Sequence, residues 1–350
     1  INDYNDISGT VTLTSVTDVL NNVNALSTTD GISITTSDLK VTDKTTLSDA
    51  ITLDSYTSGN VVLDIVTDTY ENTDKLLEDL QISSGKFDIT SGQVTITDAV
   101  SFAQVKEGSE KLVSQNASGT LTLDSIRDTF ENIISVDSLT SSFNQQITMA
   151  NAAVQVTDEV DLAKVNELRA DTTGNITVDE IKDNKANLLE VDAFVAEQGV
   201  IGDVILSDSD ITVTGVVNKD EADIINGYND VSGIVTLTSV SDVLNNVNAL
   251  STTNGISIAT SDLKVTDTTT LADATVLNGY TTGEVTLDIV TDSFLNVQSI
   301  HDLTPTEAGA DGVDLTAATI TITDPVSLTQ AETANDFSDG LITLNSVIDS

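Results

Sequence analysis

The sequence predicts an α/β solenoid in which parallel β-strands stack between coils of about 56 residues, with short helices in each coil. Three observations carry this expectation. The block Asn2 to Asp68 returns 224 residues later as Asn226 to Asp292, with VLNNVNALSTT and SDLKVTD unchanged between the copies. Within it runs a shorter period of 50 to 60 residues, marked by G-x-V-T-L-x-S-V-T-D. Its glycines are Gly9, Gly59, Gly119, Gly174, Gly233, Gly283 and Gly340, and its aspartates, nine residues on, are Asp18, Asp68, Asp128, Asp183, Asp242, Asp292 and Asp349. The third observation is alternation after each glycine. Val11, Val61, Leu121, Ile176, Val235, Val285 and Ile342 stand two positions on, and Leu13, Leu63, Leu123, Val178, Leu237, Leu287 and Leu344 four on. Polar residues between them, with only Val62 departing, give the period of two expected of a strand with one buried face.

Helices follow the strands. Beyond the aspartate the apolar spacing becomes helical, as in Leu20, Val23 and Leu26, or Phe130, Ile133 and Ile134, or Leu244, Val247 and Leu250. The aspartate itself reads as the N-cap of the helix that follows it, accepting free backbone N–H groups at the positive helix end. A second half-unit comes next, typified by ISITTSDLKVTDKTTLSDA from Ile32 to Ala50. Its strand ends in Asp43, Asp98, Asp158, Asp267 or Asp324, with Gly215 in place of Asp in the fourth copy. The resulting units lie near 1–53, 54–108, 109–168, 169–225, 226–277 and 278–334, with a partial unit at 335–350.

One column suggests that both halves share a coil. Asn22, Asn72, Asn132, Asn187, Asn246 and Asn296 stand four residues after the first-half aspartates, where the second half has Leu or Phe. If each coil contains both halves, these asparagines stack on one another as an amide ladder, and a buried amide has partners at every level. The competing reading is an asparagine that caps the helix or faces solvent.

Composition narrows the function. There are 13 basic and 56 acidic residues, a net charge of −43, which disfavours nucleic acid and anionic lipid as partners. The absence of cysteine removes disulfides and thiolate metal sites, and no apolar run reaches the ~20 residues of a membrane helix. No N-terminal signal peptide is expected, because INDYNDISG already matches INGYNDVSG at Ile225; both ends read as cut from a longer array.

SVTDVLNNVNAL, IVTDTYENTDKL, SIRDTFENI and IVTDSFLNVQSI resemble the V-x-D-T-x-x-N-[IV]-x-x-x-L segment of giant secreted bacterial repeat proteins, cyanobacterial ones among them. The second halves resemble the partner segment of those arrays, in which L-T-x-A follows a strand. The resemblance covers nearly the whole chain and implies an extracellular, cell-surface location, with related repeats in virion fibres.

The leading expectation is therefore a structural or adhesive surface protein: part of a filament, sheath, surface layer or stalk, partnered by copies of itself or adjoining repeats. The alternative is a calcium-dependent module binding a surface glycan or protein. Asp64, Asp124, Asp179 and Asp288, five residues after their glycines, are its candidate calcium ligands, since hard cations take carboxylate oxygens. A solvated polar face explains them equally. Catalysis is not expected: His301 is the only histidine and reads as lying on a loop before Pro305. The irregular stretches Arg169 to Asn226 and His301 to Thr316 are where a grafted site would lie.

Overall fold

The computed structural model describes residues 9–82, 87–89, 92–114, 119–143, 146–191, 204–229, 232–303 and 312–348. It divides into two compact units, Ile1–Asp158 with Ala163–Thr177 and Val200–Val204, and Glu159–Leu162 with Val178–Gly199 and Ile205–Ser350. In each, long parallel strands alternate with helices. The first unit holds main strands β1 Ser15–Asp18, β2 Asp38–Thr45, β3 Val61–Asp68, β4 Gln93–Val100, β5 Thr120–Asp128 and the start of β6 Ala153–Val160. The second holds most of β7 Ile176–Asn184, then β8 Asp210–Val217, β9 Val235–Asp242, β10 Asp262–Thr269, β11 Val285–Asp292, β12 Thr319–Val326 and β13 Ile342–Val347.

The pairing corrects the expected coil. In the first unit Val16 pairs with Leu39, Leu39 with Val61, Val66 with Val94, Val94 with Leu121 and Ile126 with Val154. In the second, Ile181 pairs with Ile211, Ile211 with Val235, Val240 with Leu263, Leu263 with Val285, Val290 with Ile320 and Ile320 with Ile342. A glycine-led strand is thus always bonded to a second-half strand. One strand and one helix complete a coil, so the repeat of about 56 residues spans two coils. The two are unequal: Leu39 and Val61 are 22 residues apart, Val290 and Ile320 30 apart. The longer passage carries an extra short strand, such as Phe87–Asp88 against Val61 and Val62, or Val313–Asp314 against Val285 and Thr286. The following second-half strand meets only the far end of its neighbour, Ile65 to Asp68 in β3.

The alternation places the core as the sequence predicts. Val61, Leu63, Leu121, Leu123, Ile176, Val178, Val235, Leu237, Val285 and Leu287 are all buried. So are Val66, Ile126, Ile181, Val240 and Val290, seven residues after their glycines. Five second-half strands slip their register once, between Val41 and Lys44, Ile96 and Ala99, Val213 and Val216, Val265 and Thr268, and Ile322 and Pro325. These slips are bulges, in which two residues face one, and Asp43, Asp98, Gly215, Asp267 and Asp324 sit on them.

The repeat glycine is needed because backbones touch there. A Cβ at Gly59, Gly174, Gly233, Gly283 or Gly340 would overlap the carbonyl oxygen of Ser37, Ala152, Ser209, Ser261 or Ala318 in the preceding coil. Beside it a hydroxyl two residues earlier ties the coils together. Thr57, Thr172, Thr281 and Ser338 donate to those carbonyls of Ser37, Ala152, Ser261 and Ala318 at 2.6–2.7 Å and accept the amides of Gly59, Gly174, Gly283 and Gly340 at 2.9 Å. Gly283→Ala is therefore expected to destabilise the second unit by about 1–3 kcal/mol, the usual cost of overpacking a closed contact. Chemical denaturation with an unchanged midpoint would show that the coils separate there at no cost.

Candidate functional site

The sequence suggests aspartates that cap the helices following them. In the structure ten of them, from Asp43 to Asp324, cap the helix of the coil before. The first helical residue donates its N–H to an aspartate one coil ahead. In the first unit the pairs are Leu20 to Asp43, Leu47 to Asp68, Tyr70 to Asp98, Phe102 to Asp128 and Phe130 to Asp158. In the second they are Leu162 to Asp183, Lys219 to Asp242, Leu244 to Asp267, Leu271 to Asp292 and Phe294 to Asp324. All ten bonds measure 2.6–3.0 Å. A carboxylate at a helix N-terminus satisfies a free amide and meets the positive end of the helix dipole.

The asparagine column serves this ladder. Asn22, Asn72, Asn132, Asn187, Asn246 and Asn296 each donate Nδ2 to Oδ1 of the aspartate four residues earlier, at 2.7–2.9 Å. They do not form the expected amide ladder, because a second-half coil lies between successive first-half coils. In that intervening coil the equivalent third helical position holds Asp49, Gln104, Glu221, Asp273 or Gln330, which accepts the N–H of the capping residue. The second-half aspartate stands four residues before its helix and the first-half aspartate two, which is why counting from the aspartate aligned asparagine with Leu and Phe.

Asp68, Asp128, Asp183, Asp242 and Asp292 thus each have three donors: the next residue's amide, the asparagine, and the amide one coil back. For Asp68 these are Thr69, Asn72 and Leu47. Burial alone would raise its pKa, and likewise those of Asp128, Asp242 and Asp292. The hydrogen bonds outweigh that and hold all four below the ordinary 3.8. The ladder has one gap among the described residues. Gly215, at φ +90°, offers no carboxylate to Lys185, and the helix Lys185–Leu189 has only its own capping residue, Asn184, which accepts the Asn187 amide at 3.1 Å.

The calcium candidates do not converge within either unit. Asp64 and Asp288, equivalent in the duplicated blocks, pair with Lys40 and Lys264 at 3.1 Å. Asp124 is exposed and Asp179 half-buried. Asp64 and Asp124 lie on β3 and β5 with β4 between, and strands two apart are separated by roughly 10 Å, too far to share one ion bound at about 2.4 Å. Among the described residues no group of three His, Asp or Glu is placed to hold a metal ion, and no helix is long and apolar enough to cross a membrane.

His301 closes the helix Phe294–His301 and does not lie on a loop. Its ring packs 5.0 Å from that of Phe337, with Nδ1 3.2 Å from Asp302. Of the irregular stretches, residues 192–203 and 304–311 lie outside the described residues, as does Asp349.

The most concentrated charge cluster joins the helices Tyr70–Ile82 and Phe102–Ser114. There Lys111, largely buried, meets Asp74, Glu78 and Glu107, and Tyr70 donates to Glu107 at 3.2 Å. Burial, with the charges of Asp74 and Glu107, pushes the Tyr70 phenol up to about 12. These partners lie on two neighbouring helices of the stack, so the cluster works as a tie between coils. Family profiles, curated proteins and solved structures compared with the chain yield no match.

Two outcomes follow from the ladder. Asp128→Asn, which puts an NH₂ or a weaker acceptor before the Phe102 amide, is expected to cost about 1–3 kcal/mol in denaturant unfolding. The depressed pKa values also fix the acid response. Their stabilisation is complete above the unfolded value near 3.9 and is lost as pH falls through the lower folded values. Protonating exposed carboxylates relieves self-repulsion in both proteins alike, whereas Asp128→Asn lacks one of the depressed groups and should fall less steeply with acid than the parent. Parallel acid limbs for the two proteins would remove Asp128 from the acid response.

Proposed function

We propose that the chain is a structural or adhesive segment of a bacterial extracellular surface array, such as a filament, sheath, surface layer or stalk. The observation that carries this reading is recurrence. The same amide-to-carboxylate junction is made ten times, in both halves of the repeat, and the side chains that make it are spent on coil-to-coil contact. Chemistry at a single centre requires one unit to differ from its neighbours. Here the common features of the units are those that let one coil bind the next. The resemblance to secreted repeat proteins supports the surface location, and the partners are adjoining repeats or copies of the chain. A virion fibre rests on the same physics. Electron microscopy of the native material tests the reading: filaments, sheets or stalks are expected, and dispersed compact monomers would overturn it.

The excess of 56 acidic over 13 basic residues favours a second reading, a calcium-dependent module presenting an acidic face to a glycan or protein. Lys40 and Lys264 already neutralise two of its four candidate ligands, so the structural reading expects only general screening. Melting in Ca²⁺, Mg²⁺ and Na⁺ at matched ionic strength should then give superimposable curves. A selective rise with millimolar Ca²⁺ would transfer the weight to the calcium-dependent module.

A further inference from the structure

The sequence contains three Asn-Gly dipeptides, at Asn226–Gly227, Asn254–Gly255 and Asn278–Gly279, and the fold treats them differently. An Asn-Gly bond rearranges when the glycine amide nitrogen attacks the asparagine side-chain carbonyl. The reaction therefore needs a mobile side chain, a glycine nitrogen free of other bonds and a backbone that lets the two approach. Asn226 and Asn278 are the last residues of the helices Lys219–Asn226 and Leu271–Asn278. The Gly227 amide donates to Asp223 and Ile224 at 3.0 Å, the Gly279 amide to Val276 at 3.0 Å, and Asn278 is 4 % exposed. Both nucleophiles are occupied and held in helical geometry.

Asn254 is the opposite case. It lies exposed in the turn between the helix Leu244–Leu250 and the short strand Ile256–Ser257, and Gly255 adopts φ +82°, a conformation open to glycine. Among the described residues neither the Asn254 side chain nor the Gly255 amide makes a hydrogen bond. Only their carbonyls do, accepting from Asn226 Nδ2 at 3.2 Å and from the Val235 amide at 2.7 Å. The equivalent dipeptide in the first duplicated block is Asp30–Gly31, with Gly31 at φ +80°, so the same turn is already built around a carboxylate.

We infer that Asn254 is a site of spontaneous deamidation, selected by the fold from three chemically identical dipeptides. The Gly255 nitrogen forms a bond to Cγ of Asn254 and the Cγ–Nδ2 bond breaks. Ammonia leaves with the proton from the glycine amide, and the product is a succinimide. Water then opens either carbonyl–nitrogen bond of that ring. One opening yields aspartate, which restores the chemistry of the first block. The other yields isoaspartate, which adds a methylene to the backbone beside the carbonyl that receives Val235, and so loosens the start of β9. No catalyst or cofactor is required.

Peptide mapping by mass spectrometry after incubation of the intact chain in mildly alkaline buffer tests this. The peptide holding Asn254 should convert to acid and isoacid forms while those holding Asn226 and Asn278 lag roughly tenfold or more, the factor that one or two net hydrogen bonds correspond to. In the urea-unfolded chain the three should react at similar rates, and Asn254→Gln should abolish the fast conversion without altering the melting midpoint. Equal rates at the three sites in the folded chain, or an Asn254 slower than the other two, would overturn the inference.

Discussion

Every described junction but one depends on the same constraint: a helix begins with amides that have no partner inside the helix, and here the partner is supplied by the following coil. An aspartate in the same coil would complete each strand-helix unit by itself. By looking backward, the carboxylate makes each coil part of its predecessor's secondary structure. The other details support this placement. The bulge turns the second-half aspartate towards its target. The asparagine holds the first-half aspartate and offsets its desolvation. The glycine and its neighbouring hydroxyl bring the backbones close enough for the strands to pair.

The strands were legible because a period of two survives in every copy, and the buried residues two, four and seven positions beyond Gly59, Gly119, Gly174, Gly233 and Gly283 are the direct result. The identity of the ladder residues was legible too, since Asp and Asn recur at fixed positions. The partner of each was not. A cap is normally local, and nothing in a linear spacing says that Asp68 serves Leu47, 21 residues before it, when Tyr70 lies two residues after. The coil length was misjudged for a related reason. Asparagine was aligned with leucine by counting from the aspartate, but Asp43, on a bulge, stands four residues before its helix, whereas Asp18 stands two before its own. The hydroxyls at Thr57, Thr172, Thr281 and Ser338 could have been found, because each stands two residues before a repeat glycine. The histidine was misplaced because Pro305 suggested a loop, whereas the apolar spacing of Phe294, Val297 and Ile300 carries the helix through His301.

Charge is managed locally despite the net value of −43. Lysines are few and placed where carboxylates crowd: Lys40 and Lys264 beside the residues facing the bulges, Lys111 among three acids. The ladder aspartates need no lysine, because amide protons and helix dipoles balance them. A surface this acidic can therefore coexist with a stack stitched together by carboxylates.

The vacant rung at Gly215 gives the stack a property that uniform repetition withholds. A rope of identical links has no preferred breaking point. With Lys185 lacking the carboxylate that its counterparts receive, this link is secured by strand pairing and by the Lys185 to Glu221 bridge, whose two bonds measure 3.0 Å. Tension along the stacking direction would there be borne by a side-chain ion pair in place of a capped amide. A single glycine thereby makes one link of the ladder different in kind from its neighbours.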